Sequence, residues 1–328
     1  MFLQILLMLV GFVLLIKGAD FLVDGGSNIA KKFHIPELVI GLTIVSIGTS
    51  MPELMVSVTS AIEGHSDMSI GNIVGSNISN LLLILGICAI IKGLKFKKET
   101  KYFESPFALL ITILLFLMAN NNLNGQANTI NRAEGIILLA FCLAFVIYNV
   151  VMAKKGEQFD EIDQNAENND VKANSKFYVL KSILLLALGI VCLKFGGDMV
   201  VNNAVELAKT FGMSEKMISL TIIAVGTSLP ELVTSIVATK KGEVDLAIGN
   251  IIGSCIFNIV LIIGICAVIA PIGYSLNYNK DVIILLIATL FLGLFPFIGK
   301  KNEMTRANGI IYFIGYIAYI TSLILINI

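Results

Sequence analysis

The chain has 328 residues, of which 56% are hydrophobic and only 14% charged, and its mean hydropathy is +0.89. That much apolar surface exceeds what a water-soluble core can hide, so the composition specifies an integral membrane protein. With 23 basic and 23 acidic residues the formal net charge is zero, which excludes the overall basic footprint of a nucleic-acid binder.

A bilayer core about 30 Å thick takes ~20 apolar residues per helical crossing. Runs of about that size predict spans at roughly 2–24, 37–62, 68–92, 105–120 and 133–152, and again at roughly 177–201, 216–239, 245–271, 280–299 and 308–327. The first run lacks a basic n-region and a small-residue cleavage site, so it reads as a retained transmembrane helix. Between the two sets, Ala153 to Lys176 carries six acidic residues without hydrophobic periodicity and reads as a flexible linker. Its sequence lacks the spacing and turn glycine of a calcium loop. The five cysteines, Cys88, Cys142, Cys192, Cys255 and Cys266, fall in apolar runs without metal-ligand spacing and read as packing residues. His34 and His65 both fall in loops, so no cluster suited to a transition metal is expected.

The two sets of five are copies. GTSMPEL at Gly48 returns as GTSLPEL at Gly226, an offset of 178. The same offset superposes Gly18 on Gly196, Asn72 on Asn250, Gly75-Ser76 on Gly253-Ser254, Asn80 on Asn258, and Gly86-Ile87-Cys88-Ala89 on Gly264-Ile265-Cys266-Ala267. Residues 1–152 are thus expected to form a first five-helix repeat, 153–176 a linker and 177–328 a second repeat. Because five is odd, the second repeat enters the bilayer from the opposite side. The expected fold is an all-α membrane protein of ten transmembrane helices in two inverted five-helix repeats, with broken helices at the midplane.

Orientation follows the Lys and Arg distribution. With the N-terminus outside, the inner loops hold sixteen: Lys31, Lys32, Lys92, Lys95, Lys97, Lys98, Lys101, Lys154, Lys155, Lys172, Lys176, Lys240, Lys241, Lys300, Lys301 and Arg306. The outer loops hold four: Arg132, Lys209, Lys216 and Lys280. Both termini are therefore predicted to be extracellular, the linker cytoplasmic, and the location a cell membrane.

Each repeat carries one carboxylate inside an apolar run, Glu53 and Glu231. A charge at the bilayer centre costs at least ~2.5 kcal/mol, so such residues are rare and mark function. Pro52 and Pro230 should break each helix near Gly48-Thr49-Ser50 and Gly226-Thr227-Ser228, freeing carbonyl oxygens beside small residues that let a cation approach. On the next helix Asn72, Ser76 and Asn80 stand at i, i+4 and i+8 and form a polar stripe, repeated by Asn250, Ser254 and Asn258. Interhelical hydrogen bonding is the alternative role for this stripe, and it weighs most for Asn72 and Asn250, a turn further from the glutamates. Beside the stripe, Gly71 with Gly75 and Gly249 with Gly253 permit close helix contact. All these donors are hard oxygens, which suits calcium or sodium.

At these residues the chain resembles the sodium/calcium exchanger family of the calcium/cation antiporter superfamily, through GTSMPEL…GNIVGSNISN and GTSLPEL…GNIIGSCIFN, in alpha-repeats at about 37–92 and 215–270. The resemblance implies that Glu53 and Glu231 bridge a calcium ion, with backbone carbonyls of Thr49 and Thr227. It implies flanking sodium sites made by Ser50, Ser76, Ser228 and Ser254 with the carbonyls of Ser46 and Ala224, and Asn80 and Asn258 lining the middle. Some members carry aspartate where this chain has Asn258, which leaves two formal negative charges at the centre.

One calcium or two sodium ions would neutralise two carboxylates, whereas the empty pair is costly to reorient, and that is the logic of exchange. The expected function is calcium/sodium antiport by alternating access, with the first helix of each half moving across the site-bearing core. A calcium/proton antiporter is the alternative because paired carboxylates share protons, and a cation channel the next. No helical HExxH, nucleophile–base pair or cofactor motif points to an enzyme. The expected partners are the transported ions and lipid; no cofactor and no protein partner is implied.

Overall fold

The computed structural model describes residues 1–64, 66–121, 128–159, 176–212, 224–298 and 302–327. Helix α1 is Phe2–Lys32. A bent pair follows, α2 (Glu37–Thr49) and α3 (Met51–Ile62), whose axes differ by 49°. Helix α4 runs Ser66–Ile78, through a π-helical segment Ser79–Leu85, to Gly86–Ile91. Helices α5 (Thr100–Ala119) and α6 (Arg132–Phe159) close the first half. The second half has α7 (Lys176–Thr210), a short α8 (Ala224–Gly226), α9 (Leu229–Lys241), α10 (Val244–Ile269, with a π segment Asn258–Ile263), α11 (Leu276–Phe297) and α12 (Arg306–Asn327).

Eight of the described helices are long and apolar enough to cross a membrane, or nine when α2 and α3 count as one bent span. Ten spans are expected from the sequence. The span expected at 216–239 begins among residues 213–223, outside the described residues; its described part is α8 and α9. Of the linker expected at 153–176, residues 160–175 lie outside the described residues, while 153–159 continue helix α6 and Lys176 opens α7.

Helices α4 and α10 form the centre and are buried along most of their length, whereas α1, α6 and α12 turn most of their apolar side chains outward, as lipid-facing helices do. Polar side chains on the buried faces satisfy themselves locally: the Thr112 and Thr289 hydroxyls donate to the Ala108 and Leu285 carbonyls, each at 2.7 Å.

Helix α7 lies along α1, and their contacts run in opposite chain directions. A Cβ added at Gly11 would stand 2.9 Å from the Gly196 carbonyl oxygen, and one at Gly18 would stand 3.0 Å from that of Gly189. Lipid tails are as apolar as leucine, so helices associate in a bilayer through close packing, which this glycine seam permits. Polar contacts tie both ends: the Tyr178 hydroxyl donates to Asn28 Oδ1 at 2.8 Å, and Gln4 Nε2 to Glu206 Oε2 at 3.2 Å.

Two short antiparallel pairs join loops. β1 (Leu94–Lys95) pairs with β4 (Glu303–Met304), and β2 (Thr129–Ile130) with β3 (Ile272–Gly273). The first joins two loops of the lysine-rich set and the second two loops of the other set, so each set gathers on its own face. Filling the seam should separate α1 from α7. Gly189→Val, whose Cβ would lie 2.8 Å from the Gly18 carbonyl oxygen, is expected to cost about 1–3 kcal/mol of stability, read as a lowered unfolding midpoint in detergent. Gly293→Ala, with no neighbour there among the described residues, should leave the midpoint nearly unchanged.

Candidate functional site

The proline positions explain the breaks. Helix α2 ends at Thr49, Ser50 leaves helical geometry at φ −83 and ψ 9, and α3 restarts with Pro52 in its first turn. In the second half α8 ends at Gly226, Ser228 takes φ −86 and ψ 6, and α9 restarts with Pro230 in its first turn. Glu53 and Glu231 therefore sit in the first turns of α3 and α9. Free backbone N–H groups and the positive end of the helix dipole favour a carboxylate there. The ends of α2 and α8 bring carbonyl groups to the same breaks.

Both glutamates are buried and close enough to feel one another's charge. Glu231 Oε1 accepts from the Ser50 hydroxyl at 2.9 Å, a bond that links the two halves, and Glu53 Oε1 accepts from the Ser76 hydroxyl at 3.3 Å. The repeat mates of these bonds are not made. The Ser254 hydroxyl points to the Ser46 carbonyl at 3.5 Å, and Ser228 Oγ has no partner among the described residues. Also without partners there are Glu53 Oε2, Glu231 Oε2, Asn80 Oδ1, Asn258 Oδ1 and Thr227 Oγ1. Buried oxygens left unpaired are costly. Here they belong to the residues singled out as cation ligands, and they are the atoms a hard cation would satisfy.

The other candidates are more engaged. The Ser46 carbonyl accepts the Ser50 backbone N–H at 3.0 Å and the Thr49 hydroxyl at 3.3 Å, besides the approach of Ser254. Thr49 Oγ1 also lies 3.0 Å from Asn250 Oδ1. Ala224 opens α8; its own side chain lies outside what is described.

Asn72 and Asn250 are held in interhelical hydrogen bonds. Asn72 Nδ2 donates to Ser57 Oγ at 2.9 Å and to the Glu53 carbonyl at 3.3 Å, and Asn250 Nδ2 donates to Ser235 Oγ at 3.0 Å. These bonds tie α4 to α3 and α10 to α9, the packing role. Ser57 and Ser235, one helical turn after each glutamate, were legible in the sequence as a duplicated i+4 pair but were not picked out. Asn77 was also missed. Its Nδ2 donates to the Cys255 carbonyl at 3.0 Å, and its Oδ1 accepts from Asn258 Nδ2 at 2.9 Å. Cys255 is the repeat mate of Asn77, so the two positions meet where α4 crosses α10, and the amide there also orients Asn258.

The motif glycines also matter for packing. A Cβ at Gly48 would meet Ile190, and one at Gly226 would collide with Val201. They make room for α7. Gly249 and Gly253 do allow close contact, since a Cβ there would press on the backbone of Leu38 and Leu42.

The family model described as "Sodium/calcium exchanger protein" matches residues 3–151 and 181–325. The chain is a member of the sodium/calcium exchanger family. It is 31% identical to the sodium/calcium exchanger MaX1 of Methanosarcina acetivorans, over 97% of both chains. It is 34% identical to the inner membrane protein YrbG of Escherichia coli, covering 98% of this chain and 97% of that one. Among solved structures it matches the sodium-calcium exchanger NCX_Mj soaked with sodium and calcium at a TM-score of 0.78 and 31% identity, over 98% of each chain.

Within this exchanger-family fold, the packing and ligand roles can be separated by experiment. Ser57→Ala and Ser235→Ala each remove one hydrogen-bond partner, of Asn72 and of Asn250, and leave every candidate ligand in place. Each is expected to lower unfolding free energy by about 1–3 kcal/mol while calcium affinity by calorimetry changes less than about twofold.

Proposed function

We propose that this protein exchanges calcium for sodium across the membrane by alternating access. Glu53 and Glu231, with backbone carbonyls of Thr49 and Thr227, would hold calcium, and Ser50, Ser76, Ser228 and Ser254, with backbone carbonyls of Ser46 and Ala224, would hold sodium around it; Asn80 and Asn258 would line the centre. The observation that carries this reading is the set of unpaired buried oxygens on Glu53, Glu231, Asn80, Asn258, Thr227 and Ser228, contributed by both halves at the two helix breaks and on α4 and α10.

Charge gives the mechanism. With both carboxylates ionised, the pair carries two negative charges, and moving them past a low-dielectric barrier uncompensated is prohibitive. One calcium or two sodium ions cancel that charge, and a third sodium leaves a single positive charge. Loaded forms can change access and the empty form cannot. The Thr49, Ser50, Ser76, Thr227, Ser228 and Ser254 hydroxyls suit a second, monovalent cation better than a proton, which needs only the carboxylates.

The architecture that goes with this function is ten spans in two inverted repeats, with α1 and its mate α7 as the elements that slide over the core. The antiparallel seam of these two helices supports the inversion, and the gathering of the lysine-rich loops on one face supports an alternating path through the bilayer. By the sixteen-to-four Lys and Arg distribution that face is cytoplasmic and both termini are external.

Purified protein in proteoliposomes is expected to take up radiolabelled calcium when sodium is trapped inside and diluted outside. A proton gradient alone should drive none; uptake driven by protons and indifferent to sodium would replace the sodium reading with proton exchange. Glu53→Gln and Glu231→Gln keep shape but remove charge, and each should abolish uptake while the protein still elutes as a folded species. Cysteines placed in the linker of a cysteine-free variant should react with impermeant reagents only from the cytoplasmic face.

A further inference from the structure

Helix α1 presents a second polar stripe, remote from the cation ligands. Asp20, Asp24, Ser27 and Lys31 stand at i, i+4, i+7 and i+11, one face of the helix. All four reach the core on the lysine-rich face. Lys241 Nζ, at the end of α9, lies 3.1 Å from Asp20 Oδ1 and 2.7 Å from Asp24 Oδ1; Lys17 also approaches Asp20, at 3.8 Å. A turn further along, the Ser27 hydroxyl lies 2.8 Å from Glu37 Oε1 and 3.1 Å from Glu243 Oε1. Lys31 Nζ sits 3.4 Å from Glu243 Oε1 and 4.0 Å from Glu37 Oε1.

Three separate core elements converge on this one stripe: the end of α9, the α9–α10 turn and the start of α2. Gly242, at φ +92, makes the left-handed turn that sets Lys241 and Glu243 on either side of it. Glu37 and Glu243 are carboxyl groups within reach of each other, and the ammonium and hydroxyl between them both come from α1. Withdrawing α1 would leave the two acids facing each other.

The other end of the molecule does not repeat this. The stripe's mates on α7 are Asp198, Asn202, Val205 and Lys209, and the mate of Lys241 is Glu63, so the Asp–Lys pairing becomes acid against acid. Asp198 instead pairs within its own helix, with Lys194 at 2.8 Å. Helix α1 packs closely along α9, whereas α7 makes little contact with α3 among the described residues.

We propose that Asp20, Asp24, Ser27 and Lys31 of α1 form, with Lys241, Glu243 and Glu37, a polar latch that holds α1 against the core and closes the cation route on the lysine-rich face. Its members are partly exposed, with Lys31 at 65% and Asp24 at 53%, so each pair is weak and the latch can release during transport. The inference rests on the alternating-access reading, so its test reads exposure of α1 rather than flux.

The probe is Ala30→Cys, on the buried side of α1 beside the latch, in a variant with the five native cysteines replaced and reacted with an impermeant methanethiosulfonate applied to each face in turn. With the latch intact, labelling from the lysine-rich face should be slow. Lys241→Asp should speed it about fivefold or more, and adding Asp24→Lys to Lys241→Asp should restore the slow rate. Lys31→Gln, a change at an exposed side chain, should give a smaller rise and stands in if Lys241→Asp fails to fold. Unchanged labelling in the folded single variants, or a rise that the charge swap does not reverse, overturns the latch. Swap-reversible labelling that ignores sodium and calcium would keep the latch and count against antiport.

Discussion

Two carboxyl groups are buried at the centre of an apolar slab, and the architecture answers the demand they make. Glu53 and Glu231 repel each other when both are ionised, and burial weakens the solvent screening of that repulsion. The broken helices meet this from both sides. Each break starts a new helix whose N-terminus favours the anion, and ends an old one whose carbonyls favour the cation. A straight helix at either position would provide neither. In the proposed site the prolines at 52 and 230 are therefore functional features, which a purely structural span would be better without.

The halves are related by sequence but are not used identically in this state. Ser50 and Ser76 each hold a glutamate oxygen, while their mates Ser228 and Ser254 do not. The crossing of α4 and α10 is resolved by unlike residues, Asn77 and Cys255, each bonded to the other's backbone. A polar stripe engages the core on α1, whereas its counterpart on α7 keeps only the aspartate and lysine at its two ends, and the mate of Lys241 is Glu63. Such differences let a duplicated fold favour one access state, since two identical halves would leave the inward and outward forms equal in energy.

Sliding requires an interface that holds without keying. The α1–α7 seam is built on glycine and backbone contact, and Gly48 and Gly226 in the signature motifs leave room for α7 side chains against the site-bearing core. Close packing of this kind gives attraction in lipid, where no hydrophobic force operates between helices. Polar contacts at the helix ends then add a term that differs between positions of the helix.

By itself the sequence determined the membrane location, the duplication, nearly all the spans, the two breaks and the two glutamates. Each follows from local chemistry: run length against bilayer thickness, proline geometry, and the cost of a buried charge. It also raised a packing role for Asn72 and Asn250 as an alternative, and in the structure these bond Ser57 and Ser235. What only the tertiary structure decided are relations between distant segments. Ser50 reaches Glu231 across 181 residues, and Asn77 meets its own repeat mate. The motif glycines pack against α7 side chains, and the acids and lysines of three separate turns gather on one stripe of α1. Periodicity fixes which face of a helix a residue occupies, but only packing decides what that face meets.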